Sequence, residues 1–379
     1  MLQTLQPSLT PISPPGSKVR MVFAPGALDH LGPLAKSEGA TRVMLVTDPG
    51  IRDAGHEERA VRSLYRAGLV VGVFDGVGEN PTTVHVDKAL KMARKFKPDF
   101  LVGLGGGSSM DCAKGLNFVL TNGGRMQDYW GVGKATQPML PLIAIPTTAG
   151  TGSEAQSFAL ITDPETHQKM ACGDVKALPR VAILDPDLTA TQPPRVAAAT
   201  GIDAVAHAVE TAGTKKRNDI SRQLSREAWR LLESGYAAVM RSAADAEARR
   251  SMLLGAHLAG AAIENSMLGA AHALANPLTG TFGIVHGVAV GLMLPHVVRF
   301  NAKGDGNPYA DLDADAESLA RRIEVMLAAG GLPRRLSECG VDANALPALA
   351  ASAATQWTAA FNPRPVGEAE LLAIYREAL

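Results

Sequence analysis

Three histidines and one aspartate in the second half of the chain have the types and spacing of a metal site. Asp203 and His207 are four residues apart in a helical pattern, which places both side chains on one helix face. His272 and His286 follow in segments of small and apolar residues. Imidazole suits iron, zinc and nickel, whereas a set with one carboxylate is poor for calcium or magnesium, and the lack of thiolates disfavours a closed structural zinc site. Each histidine alone is more often a hydrogen-bonded core residue, but together the four side chains predict a shared divalent metal.

Two glycine-rich loops in the first half predict a binding site for phosphates. Residues 101–109, LVGLGGGSS, form a strand pattern that leads into glycines and serines, and a helical pattern follows. Glycines let backbone N–H groups approach a phosphate, and a helix N-terminus adds unsatisfied donors. Residues 145–154, IPTTAGTGSE, form a second loop whose hydroxyls suit ribose and pyrophosphate oxygens. Two such loops at one edge of a parallel sheet predict a dinucleotide site, and a turn without a ligand is the alternative for each loop.

Asp48 follows the strand pattern of residues 43–47. A carboxylate at the end of a strand can accept hydrogen bonds from ribose hydroxyls and repels a 2′-phosphate, so it favours NAD over NADP. Here the aspartate precedes the glycine loop, the reverse of the usual order, and a lone aspartate at this place is more often a turn residue. Its assignment therefore depends on the neighbouring loops.

These side chains need a sheet and a set of helices to position them. The first half alternates β-rich and helical patterns, which is typical of βαβ units and a parallel sheet. Its predicted strands are Arg42–Thr47, Val70–Phe74, Asp99–Leu104, Pro141–Ile145, Phe158–Thr162 and Val181–Leu184. From about Arg195 onward, long Ala-, Leu- and Arg-rich segments predict helices. We therefore expect an α/β dinucleotide-binding domain over residues 1–188 and an all-helical metal-binding and substrate domain over 189–379.

Composition excludes several other classes of protein. Apolar residues make up 46% of the chain and charged residues 20%, which is typical of a folded core. With 37 basic and 37 acidic residues, the chain has no net charge that would favour nucleic acid or an anionic membrane. The three cysteines, at positions 112, 172 and 339, are far apart in sequence, which favours a reducing compartment and hence a cytoplasmic location. The proline-rich start does not resemble a secretory signal.

Residues 265–298 contain no Asp, Glu, Lys or Arg, which raises the question of a membrane span. Histidines, an asparagine and two prolines interrupt the segment, and its longest strongly apolar run, residues 288–294, is too short to cross a bilayer. A buried helical core with a polar centre is the better interpretation.

Taken together, these motifs resemble the iron-containing (group III) alcohol dehydrogenase family. The matching segments cover residues 105–114, 146–154 and 198–210, the His272 and His286 segments, and 80–82, so that similarity extends over nearly the whole chain. The resemblance implies a Rossmann-like N-terminal domain and an all-α C-terminal domain, the architecture of the dehydroquinate synthases. It also implies NAD(P) as the cofactor, with NADP less favoured because of Asp48, and a homodimer or larger homo-oligomer.

The same resemblance assigns the site residues. It implies that Asp203, His207, His272 and His286 bind one divalent metal, usually iron (Fe²⁺) and sometimes zinc (Zn²⁺). It places at the cofactor Asp48, Asn80, Gly106, Gly107, Ser108, Thr147, Thr148, Thr151 and Lys169. The implied reaction is hydride transfer between an alcohol carbon and the nicotinamide, with the metal as a Lewis acid.

Two positions depart from the family pattern. Many relatives have a second histidine four residues after the equivalent of His272, but this chain has Asn276, which cannot exchange a proton near neutral pH. We expect Asn276 to lie on the substrate and nicotinamide side. Glu264 stands where many relatives have a small polar residue, and it is a candidate proton carrier. The alternative is that Glu264 pairs with an arginine at a helix–helix contact.

The resemblance implies an NAD(P)-linked alcohol dehydrogenase or aldehyde reductase, and the mostly small and apolar residues 263–282 favour a small, primary aliphatic alcohol as its substrate. One alternative is a lyase or cyclase that uses NAD transiently, as in the dehydroquinate synthases. Such enzymes need many basic residues for a phosphorylated acid, and residues 265–298 contain none. A non-catalytic binding protein on the same scaffold is a second alternative.

Overall fold

The computed structural model describes residues 8–166, 168–304 and 306–379. Residues 1–7, part of the segment in which we expect no secretory signal, lie outside the described residues. The chain forms two compact units. The first unit comprises the chain up to Thr148 together with Gly152–Thr191. The second comprises Ala149–Thr151 and Gln192–Leu379.

A seven-stranded sheet forms the centre of the first unit, and all its strands are parallel except the first, which is antiparallel to its neighbour. Its spatial order is β1 (Ser8–Ile12), β2 (Arg20–Phe23), β10 (Val181–Leu184), β7 (Leu142–Pro146), β5 (Phe100–Gly105), β3 (Arg42–Val46) and β4 (Val70–Phe74). All the predicted strands but one lie in this sheet, within a residue of their predicted ends. The predicted α/β class is confirmed.

The remaining predicted strand, β8 (Phe158–Thr162), belongs to a separate three-stranded sheet with β6 (Gly131–Val132) and β9 (Lys169–Gly173). It pairs antiparallel with β9, so the expectation that it would join the parallel sheet is wrong. The reason is the short connection between β8 and β9, since a hairpin turn can join only antiparallel strands and a parallel pair needs a long crossover.

Helices cover both faces of the large sheet. On one face the buried core includes Val86 and Leu116, and on the other it includes Leu31 and Leu64. The helices of this unit are α1 (Leu31–Ser37), α2 (Pro49–Asp53), α3 (His56–Arg66), α4 (Thr83–Phe96) and α5 (Gly107–Asn122).

The described part of the second unit is helical, as predicted. Its helices are α6 (Pro194–Gly213), α7 (Asp219–Arg241), α8 (Ala246–Asn265), α9 (Ala270–Phe282), α10 (His286–Ala302), α11 (Ala316–Ala329), α12 (Leu346–Ala354) and α13 (Glu368–Ala378). Helix α6 is buried along nearly its whole length and packs against α7, α8 and α10. Among the described residues, no helix is both long and apolar enough to span a membrane.

Candidate functional site

Three of the four predicted metal ligands form a compact buried cluster. Asp203 and His207 lie one turn apart on α6, and His272 lies in the first turn of α9. Asp203 Oδ1 is 3.5 Å from His207 Nε2 and 3.5 Å from His272 Nε2. One potential ligand atom from each of the three residues lies within 4.8 Å of the other two. Helices α6 and α9 therefore converge on a volume that one ion could fill.

The fourth predicted ligand, His286, is the first residue of α10 and lies beside this cluster. The centroid of its ring is 5.4 Å from that of His272, which in turn is 4.9 Å from that of His207. His286 is outside the group of atoms that all lie within 4.8 Å of one another. The structure thus brings all four residues together, with three of them in the closest arrangement.

The hydrogen bonding of the cluster fits a metal ion. Asp203 Oδ1 and His272 Nε2 are buried, and neither has a hydrogen-bond partner within the described structure. Buried polar atoms without a partner are costly, and in a native site they indicate an ion or a water. A set of imidazoles with one carboxylate is the donor chemistry of iron and zinc rather than of calcium.

Electrostatics in the cluster favour a positive charge. Burial raises the pKa of the Asp203 carboxyl, but attraction to His207 and His272 outweighs it and holds the pKa below its usual range. Burial lowers the pKa of His207. For His272, burial lowers the pKa, but the Glu210 and Asp203 carboxylates together raise it to about 9. The two carboxylates therefore create a negative potential around the histidine rings that a bound cation would offset.

Glu210 supports the cluster, although the sequence analysis gave it no role. Its Oε2 is 2.5 Å from His272 Nδ1, and its Oε1 accepts a 2.7 Å hydrogen bond from the backbone N–H of Ala271. A carboxylate on Nδ1 orients the ring and leaves Nε2 free as a ligand, an arrangement common around metal-binding histidines. The signal was present in the sequence, because Asp203, His207 and Glu210 recur at the spacing of one helix face.

A close helix crossing places His286 near Asp203. A side chain at Gly287 would put its Cβ 2.0 Å from the carbonyl oxygen of Ala199 on α6, so only glycine allows the two backbones to approach this closely. One turn later, a Cβ added at Gly291 would lie 2.7 Å from Cγ1 of Ile202 on α6. These two glycines keep α10 tight against the helix that carries Asp203 and His207.

In the first unit, the glycine loop leads from β5 into α5. Gly105 has a φ of 146°, in the region that favours glycine, and a Cβ there would meet Ser109 Oγ at 2.6 Å. Gly106 is the N-cap of α5 and Gly107 its first residue, and no side chain caps this end. An uncapped N-terminus of a long helix leaves backbone N–H groups available for an anion such as a phosphate.

Two predicted cofactor residues contact this loop. Asp48 Oδ2 accepts a 2.8 Å hydrogen bond from Ser109 Oγ, and its Oδ1 accepts one of 3.1 Å from the backbone N–H of Ile51 as the N-cap of α2. The backbone N–H of Asn80 donates to Ser108 Oγ at 3.3 Å. Asp48 is therefore a turn residue, the alternative that the sequence left open. Its carboxylate also contacts the segment that follows the glycine loop.

The remaining predicted cofactor residues are spread over neighbouring segments. The backbone N–H of Thr147 donates to Gly105 O at 3.0 Å, and Thr148 is the nearest side chain to Gly106. Lys169 begins β9 opposite Thr162, whose backbone N–H donates to the carbonyl oxygen of Pro81, next to Asn80. Thr151 belongs to the second unit, with Ala149–Thr151.

A buried lysine ties the two glycine-rich segments together, and sequence reasoning missed it. The Lys114 ammonium group, on α5, donates to Ser153 O and Ser153 Oγ at 2.7 Å each and to Phe158 O at 2.9 Å. Its side chain is fully buried, and Asp111 Oδ1 lies 3.7 Å away. Asp111 in turn accepts a 2.6 Å hydrogen bond from Ser153 Oγ. The loop after β7 is thus fixed to the helix that follows the first loop.

The two predicted catalytic residues lie in the second unit. Glu264 is half-buried in the last turn of α8, and it is outside the compact group of metal-ligand atoms. Asn276 lies on α9, one turn after His272, and its Nδ2 donates a 2.9 Å hydrogen bond to Gln356 Oε1. Asn276 is therefore held close to the cluster, on the helix face that carries His272.

Comparisons with known proteins agree with this geometry. Residues 18–186 match the model of the iron-containing alcohol dehydrogenases, and residues 197–379 match the C-terminal model of the same family. The chain is 34% identical to the 1,3-propanediol dehydrogenase of Klebsiella pneumoniae, over 94% of this chain and 96% of that one. It is 32% identical to the NAD-dependent methanol dehydrogenase of Bacillus methanolicus, over 97% and 98%. Among solved structures, a 1,3-propanediol oxidoreductase superposes with a TM-score of 0.91 at 33% identity, covering 96% of this chain and 98% of that one.

The chain belongs to the iron-containing alcohol dehydrogenase family. It is an oxidoreductase of the alcohol dehydrogenase and aldehyde reductase type, dependent on a divalent metal and on NAD.

Proposed function

We propose that this enzyme transfers a hydride between NAD and the terminal carbon of a small primary aliphatic alcohol, or of its aldehyde in the reverse direction. The observation that carries the proposal is the convergence of Asp203, His207 and His272, where the buried Asp203 Oδ1 and His272 Nε2 have no hydrogen-bond partner within the described structure. The match of the chain to small-alcohol dehydrogenases supports the substrate size.

In this proposal the ion is held by Asp203, His207, His272 and His286. When bound, a divalent ion polarises the oxygen of the alcohol or aldehyde, and NAD accepts or returns the hydride. The protein's own contribution is to hold the ligand atoms in place. Glu210 keeps the His272 ring in one orientation, and the approach of α10 to α6 at Gly287 brings His286 beside the other three side chains.

In this proposal the cofactor binds at the glycine loop. The uncapped N-terminus of α5 binds the pyrophosphate, while the Asp48 carboxylate accepts from a ribose hydroxyl and disfavours a 2′-phosphate. Asp48 already accepts two hydrogen bonds, but a carboxylate has about four acceptor sites, so capacity remains. The full set is Asp48, Asn80, Gly106, Gly107, Ser108, Thr147, Thr148, Thr151 and Lys169.

For the proton that accompanies the hydride, we propose Glu264 as the carrier, because Asn276 stands where a histidine would exchange protons. Glu264→Gln should lower turnover strongly while the dissociation constants for metal and NAD stay normal. Steady-state rates and the two dissociation constants measure this, and an unchanged turnover would eliminate Glu264 from the mechanism.

Three wider expectations belong to the same proposal. We propose that residues 1–188 act as the dinucleotide-binding domain and 189–379 as the metal and substrate domain.

We propose a homodimer or larger homo-oligomer, which size-exclusion chromatography with light scattering would measure. We also propose a cytoplasmic location, supported by the three cysteines, all of which are free thiols.

A panel of alcohols with NAD and NADP tests the proposed function. We expect steady NADH formation, followed by its absorbance, from short primary alcohols; it should be lost in metal-stripped protein and restored by iron or zinc. Steady release of NADH also distinguishes this function from a lyase that regenerates NAD within each cycle. NADH formation that persists without metal would contradict the proposal.

A further inference from the structure

The three helices that carry the proposed metal ligands are joined by one short segment, Phe361–Asn362. Helix α6 carries two of the four ligands, and α9 and α10 carry one each. The segment consists of the last residue of the short helical turn Trp357–Phe361 and the residue that follows it. Asn362 is 1% exposed. The contacts of this segment with the three helices therefore bear on how the ligands are placed.

Asn362 caps the N-terminus of α9. Its Oδ1 accepts a 3.3 Å hydrogen bond from the backbone N–H of Ala270, the first residue of the helix. The next N–H group, that of Ala271, donates to Glu210 Oε1 at 2.7 Å. A Cβ added at Gly269 would lie 3.1 Å from Glu210 Oε1 and 3.2 Å from Asn362 Oδ1, so the two acceptors lie side by side. Because the N-cap residue is a glycine, which has no side chain to cap the helix, the first turn of α9 depends on these two distant side chains.

Asn362 is also paired with Asn301, the penultimate residue of α10. Asn362 Nδ2 donates to Asn301 Oδ1 at 2.7 Å, and Asn301 Nδ2 donates to Asn362 Oδ1 at 3.1 Å. The second N–H of the Asn362 amide donates to Arg364 O at 2.7 Å. A backbone N–H can only donate and a carbonyl can only accept, so Ala270 and Arg364 fix which way the Asn362 amide points. The amide therefore joins the start of α9 to the end of α10 in one defined orientation.

The carbonyl oxygen of Phe361 holds the third helix. It accepts a 2.8 Å hydrogen bond from the backbone N–H of Lys215 and one of 3.1 Å from Thr214 Oγ1. Thr214 is the C-cap of α6 and is fully buried. Tyr309 also packs there, since a Cβ added at the last residue of α6 would lie 2.7 Å from its ring, and its hydroxyl accepts a 2.7 Å hydrogen bond from Asn301 Nδ2. Hydrogen bonds thus connect one dipeptide to α6, α9 and α10.

We propose that Asn362 is a positioning residue for the metal site. It holds the first turn of α9 against α6 and α10, and so places His272 relative to the ligands on the other two helices. The inference rests on the proposed function, because it assumes that ligand set. Ala270, which Asn362 binds, is only two residues before His272 in the same turn. Bonds from imidazole nitrogens to a metal such as zinc are about 2 Å long with little tolerance, so a small shift of this turn weakens the site.

The test is Asn362→Leu, which keeps a side chain of similar size but removes every hydrogen bond of the amide. We expect the dissociation constant for Co²⁺, measured on the folded protein in competition with a chelator, to rise about 10- to 100-fold. The visible absorption spectrum of the cobalt-loaded variant should also change, because it reports the geometry of the ligands around the ion. A role confined to the stability of the fold would move neither quantity.

Asn117→Leu is the matched control. Asn117 is also 1% exposed, and its amide also bonds to the backbone, donating to Leu140 O at 2.8 Å and accepting from Leu140 N–H at 3.0 Å. It lies on α5, which belongs to the first unit. Its dissociation constant for Co²⁺ and its cobalt spectrum should equal those of the wild type. Unfolding of the metal-free proteins in urea shows whether both leucine variants are folded under the conditions of the titration.

Thr214→Val is a milder second variant, since it removes a single hydrogen bond between α6 and the Phe361 carbonyl. We expect its dissociation constant for Co²⁺ to rise about 2- to 5-fold. Wild-type affinity and spectrum in Asn362→Leu, or in Thr214→Val where the first variant does not fold, would overturn the proposal. A wild type that binds Co²⁺ and forms NADH keeps the proposed function intact in that case. A wild type that binds no Co²⁺ contradicts the proposed function and this inference together.

Discussion

At the scale of single residues, the metal site depends on groups that orient its ligands as well as on the ligands. Glu210 is the clearest example, because both of its oxygens are occupied by donors from α9, the His272 ring and the Ala271 backbone. Its side chain therefore sets the rotation of the imidazole and the position of the helix start. Removing its charge or one of its acceptor oxygens should therefore weaken metal binding.

Glu210→Gln should weaken metal binding about 10- to 100-fold. A glutamine presents one oxygen and one NH₂ group to two N–H donors, so one of those donors faces another donor. Competition with a chelator measures the dissociation constant in the folded protein. The matched control is Glu247→Gln on α8, where the carboxylate is 79% exposed and pairs with Arg250. Equal affinities for both variants would show that Glu210 does not position His272.

At the scale of elements, the site depends on how closely helices and loops approach one another. Gly287 and Gly291 let α10 lie against α6, and Lys114 ties the loop after β7 to α5. Neither the two glycines nor Lys114 binds a ligand. Each of these features holds in place a segment that carries proposed ligand-binding residues.

Gly287→Ala should destabilise the protein by about 1–3 kcal/mol and weaken metal binding, because the new Cβ would overlap the carbonyl oxygen of Ala199 and push α10 away from α6. Gly280→Ala is the control on α9, since a Cβ there has nothing within 4 Å. That change should be neutral or stabilise by about 0.5–1 kcal/mol. Urea unfolding gives both values, and equal midpoints for the two variants would contradict the close-approach argument.

Lys114→Met should lower the free energy of unfolding by about 3–5 kcal/mol, since it leaves the Asp111 carboxylate buried without its cationic neighbour. It should also raise the dissociation constant for NAD, because the loop that begins with Thr147 loses its attachment. Lys303→Met is the surface control, because Lys303 pairs with Glu377 and the two side chains are 61% and 47% exposed, respectively. It should lower the free energy of unfolding by less than about 1 kcal/mol. Similar losses in both variants would refute the role of Lys114 as a tether.

At the scale of the whole molecule, the division of the chain into a sheet-based unit and a helical unit could be predicted from sequence. The strands β3, β5 and β7 are apolar apart from Arg42 at the start of β3, and glycine or threonine residues lie at or just after their ends, so these local patterns are visible without coordinates. The β8–β9 hairpin was not predicted, because strand pairing depends on connection length as well as on local pattern.

The same limit applies to the site. Asp203 and His207 share one helix, so their spacing alone indicates a common face. The contacts of Lys114 with Ser153 and of Asn276 with Gln356 join residues that are distant in sequence, and tertiary packing alone brings them together. Residue types at those positions carry no local signal for such contacts.

Metal binding should also stabilise the folded chain, because the ligands come from α6, α9 and α10 and a shared ion would link the three helices. An ion at about 1,000 times its dissociation constant would contribute about 4 kcal/mol. The chelated protein should therefore unfold at a lower urea concentration than the reloaded protein. Coincident unfolding curves for the two samples would argue against an ion shared by these helices.

The central claim is that one ion bound by Asp203 and the three histidines is required for hydride transfer. The most direct test measures metal per chain and NADH formation on the same samples of wild type and Asp203→Asn, a change that preserves the shape of the side chain. We predict one ion per chain and steady NADH formation for the wild type, and the loss of both for the variant. A variant that retains its ion, or one that forms NADH at the wild-type rate without it, would contradict the claim.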